Sequence, residues 1–159
     1  MIESPAPTPD RSHQILLVED SRTDAELFQM ALEKANSRVR AYWLASGGDA
    51  LEFLEQKGRF TSFSSVRLVV LDLHLPDLTG FEVLRRIRAS PSTGRLVTIL
   101  FSSSINHDDI DLAYSLGANA YFVKPMSIEL YVAKVAVITE HWLDLAELPS
   151  QRTDGALQI

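Results

Sequence analysis

The chain has no cysteine, which removes both a disulfide framework and any zinc site built on thiolates. It has no apolar run long enough to span a bilayer, and no early apolar segment of the signal-peptide kind, so the cytoplasm is its default compartment and no membrane partner is expected. A basic stripe is missing too. Fifteen lysines and arginines stand against 21 aspartates and glutamates, a net charge of -6 with no cationic run to follow a phosphate backbone, so direct nucleic-acid binding is not expected. There is no nucleotide-type phosphate loop, and Ser102 to Ser104 lack the glycine elbow that would expose a hydrolase nucleophile. His13, His107 and His141 share no metal-ligand spacing.

What is present suits one domain: 159 residues, 46% of them apolar, bury a substantial core but leave no room for a second. Pro5, Pro7 and Pro9 exclude helix and strand interior from residues 1–12, which read as a disordered lead-in, and residues 150–159 read as a flexible tail. The domain is expected over residues 13–149. Within it, strand-like runs (Gln14 to Glu19, Val39 to Ala45, Arg67 to Asp72, Leu96 to Phe101, Asn119 to Val123) alternate with helical spacing. The helices are predicted over Thr23 to Asn36 with Ser21 as N-cap, Gly47 to Gln56 stopped by Gly58, Gly80 to Ala89, Asp108 to Leu116, and one long helix from Ser127 to about Ala146. Arg59 to Ser65 reads as a loop. Five strands alternating with five helices predict an α/β fold, a doubly wound five-stranded parallel sheet with helices on both faces. Such sheets bind ligands beyond the strands' carboxyl ends.

That edge collects the chemistry. Glu19 and Asp20 follow the first strand, Asp72 the third and Lys124 the fifth, an acidic cluster with one cation that can hold a divalent metal and a phosphoryl group. Each group alone has a plainer reading: Glu19-Asp20 favours a helix start, Asp72 a turn before Pro76, Lys124 a solvated charge, Ser102 an ordinary strand-end hydroxyl. Their joint placement at one edge favours a site.

The ordered motifs Leu17-Val18-Glu19-Asp20, Leu71-Asp72-Leu73-His74-Leu75-Pro76 with Gly80, Leu100-Phe101-Ser102-Ser103, Gly117-Ala118 and Val123-Lys124-Pro125 resemble those of the receiver domains of bacterial two-component response regulators. The resemblance covers nearly everything from Ile15 to the final helix. It implies a flavodoxin-like receiver in which Asp72 accepts a phosphoryl group from a sensor histidine kinase as an acyl phosphate. Mg²⁺ would then be held by Glu19, Asp20, Asp72 and the backbone carbonyl of His74, with Lys124 pairing a phosphoryl oxygen. It further implies that Ser102 donates its hydroxyl to the phosphorylated state, that Tyr121 is an aromatic switch, and that a cis bond before Pro125 aims the lysine inward. Two positions depart from the family pattern: Ser102 stands where threonine is frequent, and Thr79 where aspartate is common before Gly80.

The final helix carries Tyr131, Val135, Ile138, Trp142 and Leu145 as a stripe widened by Val132, Ala136 and Leu143, more apolar surface than covering one sheet requires. A homodimer through this helix is expected; the plainer alternative is packing on its own core. The ending from His141 to Pro149, with the segment Phe60 to Phe63, is similar to single-domain regulators paired with bacterial phytochromes. The function expected is a stand-alone phosphoacceptor, not an enzyme, that signals through dimerisation or partner choice. Rival readings are a phosphorelay intermediate or phosphate sink, a small-molecule aspartyl phosphatase, which would want aspartate at position 74, and a scaffold without chemistry.

Overall fold

The computed structural model describes residues 13–35, 38–61 and 66–149; the predicted lead-in, the tail, most of the Arg59 to Ser65 loop and the predicted helix end at Asn36 lie outside them. Five strands, β1 (His13–Val18), β2 (Arg40–Leu44), β3 (Leu68–Leu71), β4 (Val97–Ser102) and β5 (Ala120–Val123), alternate with five helices. The helices are α1 (Arg22–Ala35), α2 (Gly47–Leu54), α3 (Gly80–Ala89), α4 (His107–Ser115) and α5 (Ile128–Thr139). All pairings are parallel in the order β2-β1-β3-β4-β5.

Strand side chains alternate between faces, so each run of hydrophobic residues serves two cores. Leu16, Val18, Val69, Leu71 and Leu100 face Phe53, Val83, Leu84, Ile87 and Ala113, on α2, α3 and α4. Ile15, Leu17, Leu68, Val70, Ile99 and Phe101 face Phe28, Leu32, Tyr131, Val135 and Ile138, on α1 and α5. A continuous apolar strand is stable only when buried on both sides, which is why the central strands carry almost no polar residue. After β1 the chain goes to β2 on one side and then to β3 on the other. That reversal opens a crevice between the carboxyl ends of β1 and β3, where ligands enter doubly wound sheets.

Two expectations about helix ends are corrected. Gly58 does not stop α2: that helix ends at Leu54, Gln56 takes the left-handed φ of 55° expected of a glycine, and Gly58 opens a 3₁₀ turn, Gly58–Phe60. This turn stands where a loop was predicted, and it packs the buried Phe60 edge-on to Phe53 at 5.5 Å. The last helix is not uniform either. After Thr139 the backbone widens into a π-helical stretch, Glu140–Leu145, closed by Ala146 N–H donating to the His141 carbonyl. A five-residue repeat turns Leu143, five after Ile138, onto the core, where it is buried; Trp142 and Leu148 pack beside it, and Leu145 points outward at 70% exposure. Among the described residues no helix is long and apolar enough to cross a membrane.

Candidate functional site

Strand pairing brings the charged groups together. The Glu19 amide still donates to the Leu44 carbonyl, the Asp72 amide to Val18 and the Lys124 amide to Ser102, so each side chain leaves from the first residue past the sheet on a fixed backbone. Neighbouring strands lie about 4.8 Å apart, which puts β5 roughly 10 Å from β3, and only an extended lysine stem crosses that gap. Lys124 does cross it. Its Nζ donates to Glu19 Oε2, to Asp72 Oδ2 at 2.8 Å and to Asp24 Oδ2 at 3.0 Å. The Lys124–Pro125 bond is trans, against the expected cis isomer: the described residues contain no cis peptide, and the inward aim comes from the carboxylates that attract the ammonium.

The charge distribution is uneven. Burial, and then the neighbouring Asp72, raise the Glu19 carboxyl from its usual 4.5 to about 8 despite Lys124. At Asp72 burial also opposes the ion, but the Lys124 charge and hydrogen bond, a hydrogen bond with Glu19 and the Leu73 amide outweigh it, and its pKa falls below the aspartate norm. Lys124 is desolvated as well, yet Glu19 and Asp72 hold it protonated well above the lysine range. Asp72 is thus the ionised, aimed carboxylate, its Oδ1 accepting from Leu73 N at 2.7 Å and weakly from His74 N at 3.5 Å. A Cβ on Gly80 would collide with the Asp72 carbonyl oxygen, so α3 can start this close behind the site only with glycine there. Thr79, the departure from the family pattern, caps α3 by accepting from Glu82 N at 3.2 Å.

Glu19, Asp20 and Asp72 each present a carboxylate oxygen, all within 4.8 Å of one another, with Asp20 exposed and the other two buried. With Asp24 that makes four carboxylates against one ammonium. A hard, all-oxygen donor set carrying excess negative charge fits a divalent cation. His74 has an exposed side chain, and its place beside Asp72 leaves its carbonyl as a candidate further donor.

Ser102 is fully buried at the end of β4 and its Oγ accepts from Ser104 N at 3.2 Å. The carbonyl of Ser104 accepts from the Tyr121 hydroxyl at 2.9 Å, and the Ser104 hydroxyl donates to Asp109 on α4 at 2.7 Å. Ser104 therefore links Ser102, Tyr121 and α4. Sequence reasoning did not single out Ser104, Asp24 or Trp43. The Trp43 indole donates to the Glu19 carbonyl at 2.6 Å from the edge strand, in a core position that resembles ordinary packing when read from spacing alone.

A family model described as the response regulator receiver domain matches residues 15–136. Response regulator Rcp1 of Synechocystis is 34% identical over 136 residues, 86% of this chain and 92% of Rcp1. Its Mn²⁺-bound crystal form superposes with a TM-score of 0.79, over 86% of this chain and 98% of that one. The phosphorylated cyanobacterial phytochrome response regulator RcpA is similar at 37% identity and a TM-score of 0.82, over 87% and 99% of the two chains. RPA3017, a response regulator in red light signalling of R. palustris, reaches 30% identity and a TM-score of 0.82 over 87% and 99%.

Proposed function

The chain belongs to the response regulator receiver domain family of two-component signalling, and from that membership we propose that it is a phosphoacceptor whose acceptor is Asp72. One observation carries this reading: Asp72 sits at the centre of the cluster, one oxygen accepting from Lys124 Nζ at 2.8 Å and the other from Leu73 N at 2.7 Å, with carboxylate oxygens of Glu19 and Asp20 within 4.8 Å. An Asp72 oxygen attacks the phosphorus of a kinase phosphohistidine. The P–O bond forms, the P–N bond breaks, its electron pair stays on the imidazole, and an acyl phosphate results. Glu19, Asp20, Asp72 and the His74 carbonyl are the donors we assign to Mg²⁺, which when bound shields the charge between phosphate and carboxylate. Lys124 supplies a movable cation and Ser102 a hydroxyl. As Ser102 turns toward the phosphoryl group it releases Ser104 N, and Ser104 carries the change to Tyr121 and α4.

The donor we propose is a sensor histidine kinase of the phytochrome type, supported by the similarity to RcpA and Rcp1. This chemistry belongs in the cytoplasm. We read the chain as a phosphoacceptor rather than an enzyme with a separate substrate, since an exposed histidine fills position 74. Incubation with Mg²⁺ and acetyl phosphate, followed by mass spectrometry of wild type and Asp72→Asn, tests it: label on both proteins alike overturns the assignment.

A homodimer through the C-terminal helix also belongs to this reading, on a smaller surface than the sequence suggested. Leu143 is committed to its own core, while Leu145 and Val137 stay exposed at 70% and 57%. Burying Leu145 against a second copy removes that apolar surface from water. Sedimentation of wild type and Leu145→Glu at micromolar concentration should show a dimer and a monomer; a monomeric wild type rejects the dimer.

A further inference from the structure

An ammonium has three donors, and on Lys124 all three are taken, by Glu19, Asp72 and Asp24. None is left for a phosphoryl oxygen. One carboxylate must therefore withdraw before Lys124 can serve the phosphorylated state. Glu19 and Asp72 are nearly buried, with side chains 3% and 8% exposed, and before the acyl phosphate forms, releasing either would leave a desolvated acceptor without its donor. Asp24 is 39% exposed, and its carboxylate can turn to water at little cost.

Its placement is not explained by helix capping. Ser21-x-x-Asp24 is a capping-box spacing, in which the acid should return a hydrogen bond to the Ser21 amide. Half of that box forms: Asp24 N donates to Ser21 Oγ at 3.2 Å. The return bond does not, because Ser21 N donates to Glu19 Oε1 at 3.1 Å, and the Asp24 carboxylate is left facing Lys124.

We propose that Asp24 is a displaceable counterion: it holds the third donor of Lys124 in the resting protein, yields it to the incoming phosphoryl group, and so slows phosphorylation. It is a positioning residue acting through Lys124. The inference rests on the phosphoacceptor reading above.

The test uses the full chain with Mg²⁺ and acetyl phosphate, reading the initial rate of label on Asp72. Asp24→Asn and Asp24→Ala should label roughly fivefold faster, the size of one partly exposed ion pair. Asp24→Glu keeps the charge and should remain near the wild-type rate. In a Lys124→Gln background, with Mg²⁺ saturating in every arm, Asp24→Asn should give no acceleration. Equal or slower labelling of Asp24→Asn overturns the proposal, as does the same acceleration without Lys124, which would indicate general charge repulsion. If wild type labels on Asp72 and Asp24→Asn merely equals it, this inference alone falls; if wild type takes no label there, the phosphoacceptor reading falls and takes this one with it.

Discussion

Arg88 and Lys124 sit at opposite edges of one sheet and hold it in opposite ways. At the amino edge the Arg88 guanidinium reaches from the end of α3 to the Gly117 carbonyl at 2.9 Å, the Leu96 carbonyl at 2.7 Å, the Gly94 carbonyl at 3.3 Å and Asn119 Oδ1 at 2.8 Å. Every one of these acceptors is neutral. Asn119 Oδ1 also accepts from Thr98 N at 2.8 Å, so the fork ties the loop before β4 to the loop before β5. At the carboxyl edge Lys124 meets only carboxylates. A rigid planar cation among carbonyls has nothing to exchange with, whereas a point charge on a flexible stem among acids can be redistributed by a proton, a metal or a phosphoryl group. One fold thus keeps one edge fixed and lets the other respond.

The largest effect expected from breaking this contrast is at the fixed edge. Arg88→Ala leaves four acceptors without their shared donor, and charge-assisted hydrogen bonds of this kind contribute enough that the loss should be about 3 kcal/mol in urea unfolding. Arg88→Lys should recover only part, because an ammonium cannot fork across loops on both sides. Added Mg²⁺ should recover none of it.

Lys124→Ala should cost less, about 2 kcal/mol without metal, since Asp24 is part-exposed and Glu19 already holds a proton near neutral pH, which leaves Asp72 as the one buried charge without its partner. Here Mg²⁺ should return most of the loss, because a divalent ion replaces the missing charge. If both variants respond alike to Mg²⁺, the difference between the edges is not one of exchangeable partners.

How much of this was legible in the sequence differs between the same two regions. The carboxyl edge was readable, because an acid or a lysine directly after an apolar strand has its position set by the strand. The bounds of helix α3, Gly80 to Ala89, were readable, since Val83, Leu84 and Ile87 mark its buried face; the cap at Thr79 was not, because that residue stood out only as a departure from the family pattern. Arg88 was not: a basic residue in the last turn of a helix is ordinary, and only the loops brought beside it show its use. Asp24 was hidden because an acid in the first turn of a helix is ordinary. The widened turn after Thr139 was invisible because Ile138, Trp142 and Leu145 fit an α-helical period as well as Ile138 and Leu143 fit a wider one.

Acid titration sharpens the contrast further. In the metal-free protein Glu19 binds its proton more tightly folded than unfolded, with a folded pKa of about 8 against the usual 4.5. Its contribution to stability is therefore fully present below about 4.5 and lost as pH rises through about 8. Asp72 has the opposite sign: its depressed pKa gives stability that is lost only as pH falls below the aspartate range, outside this window. Lys124, held protonated beyond the lysine range, stays charged throughout. Unfolding in chelator should show stability declining between these limits, and Glu19→Gln should flatten the decline. An unchanged slope in Glu19→Gln would mean that another group titrates. Arg88 has no acid among its hydrogen-bond partners, so Arg88→Ala should shift this curve without altering its slope.

The smallest effect belongs to a contact that tests whether the carboxyl edge is as loosely held as the comparison requires. Asp77, in the loop between Asp72 and α3, reaches across to the start of α2, its two oxygens accepting from Gly47 N at 2.9 Å and Gly48 N at 2.8 Å. What little burial it has opposes the ion, but the amides of Gly48, Leu78 and Gly47 outweigh that and lower its pKa, so its contribution is present above the aspartate range and lost as pH falls through it. Because the side chain is exposed, its contribution should be that of a surface cap, about 1 kcal/mol or less. Asp77→Ala should therefore lower the unfolding midpoint only slightly, and Asp77→Asn less, since its carbonyl keeps one of the two bonds. Faster amide exchange at Gly47 and Gly48 in Asp77→Ala, with exchange at Gly117 and Asn119 unchanged, would place the loosening at the responsive edge alone. A loss comparable to that of Arg88→Ala would mean the carboxyl edge is clamped as firmly as the amino edge, and that its freedom to respond lies in Lys124 rather than in its loops.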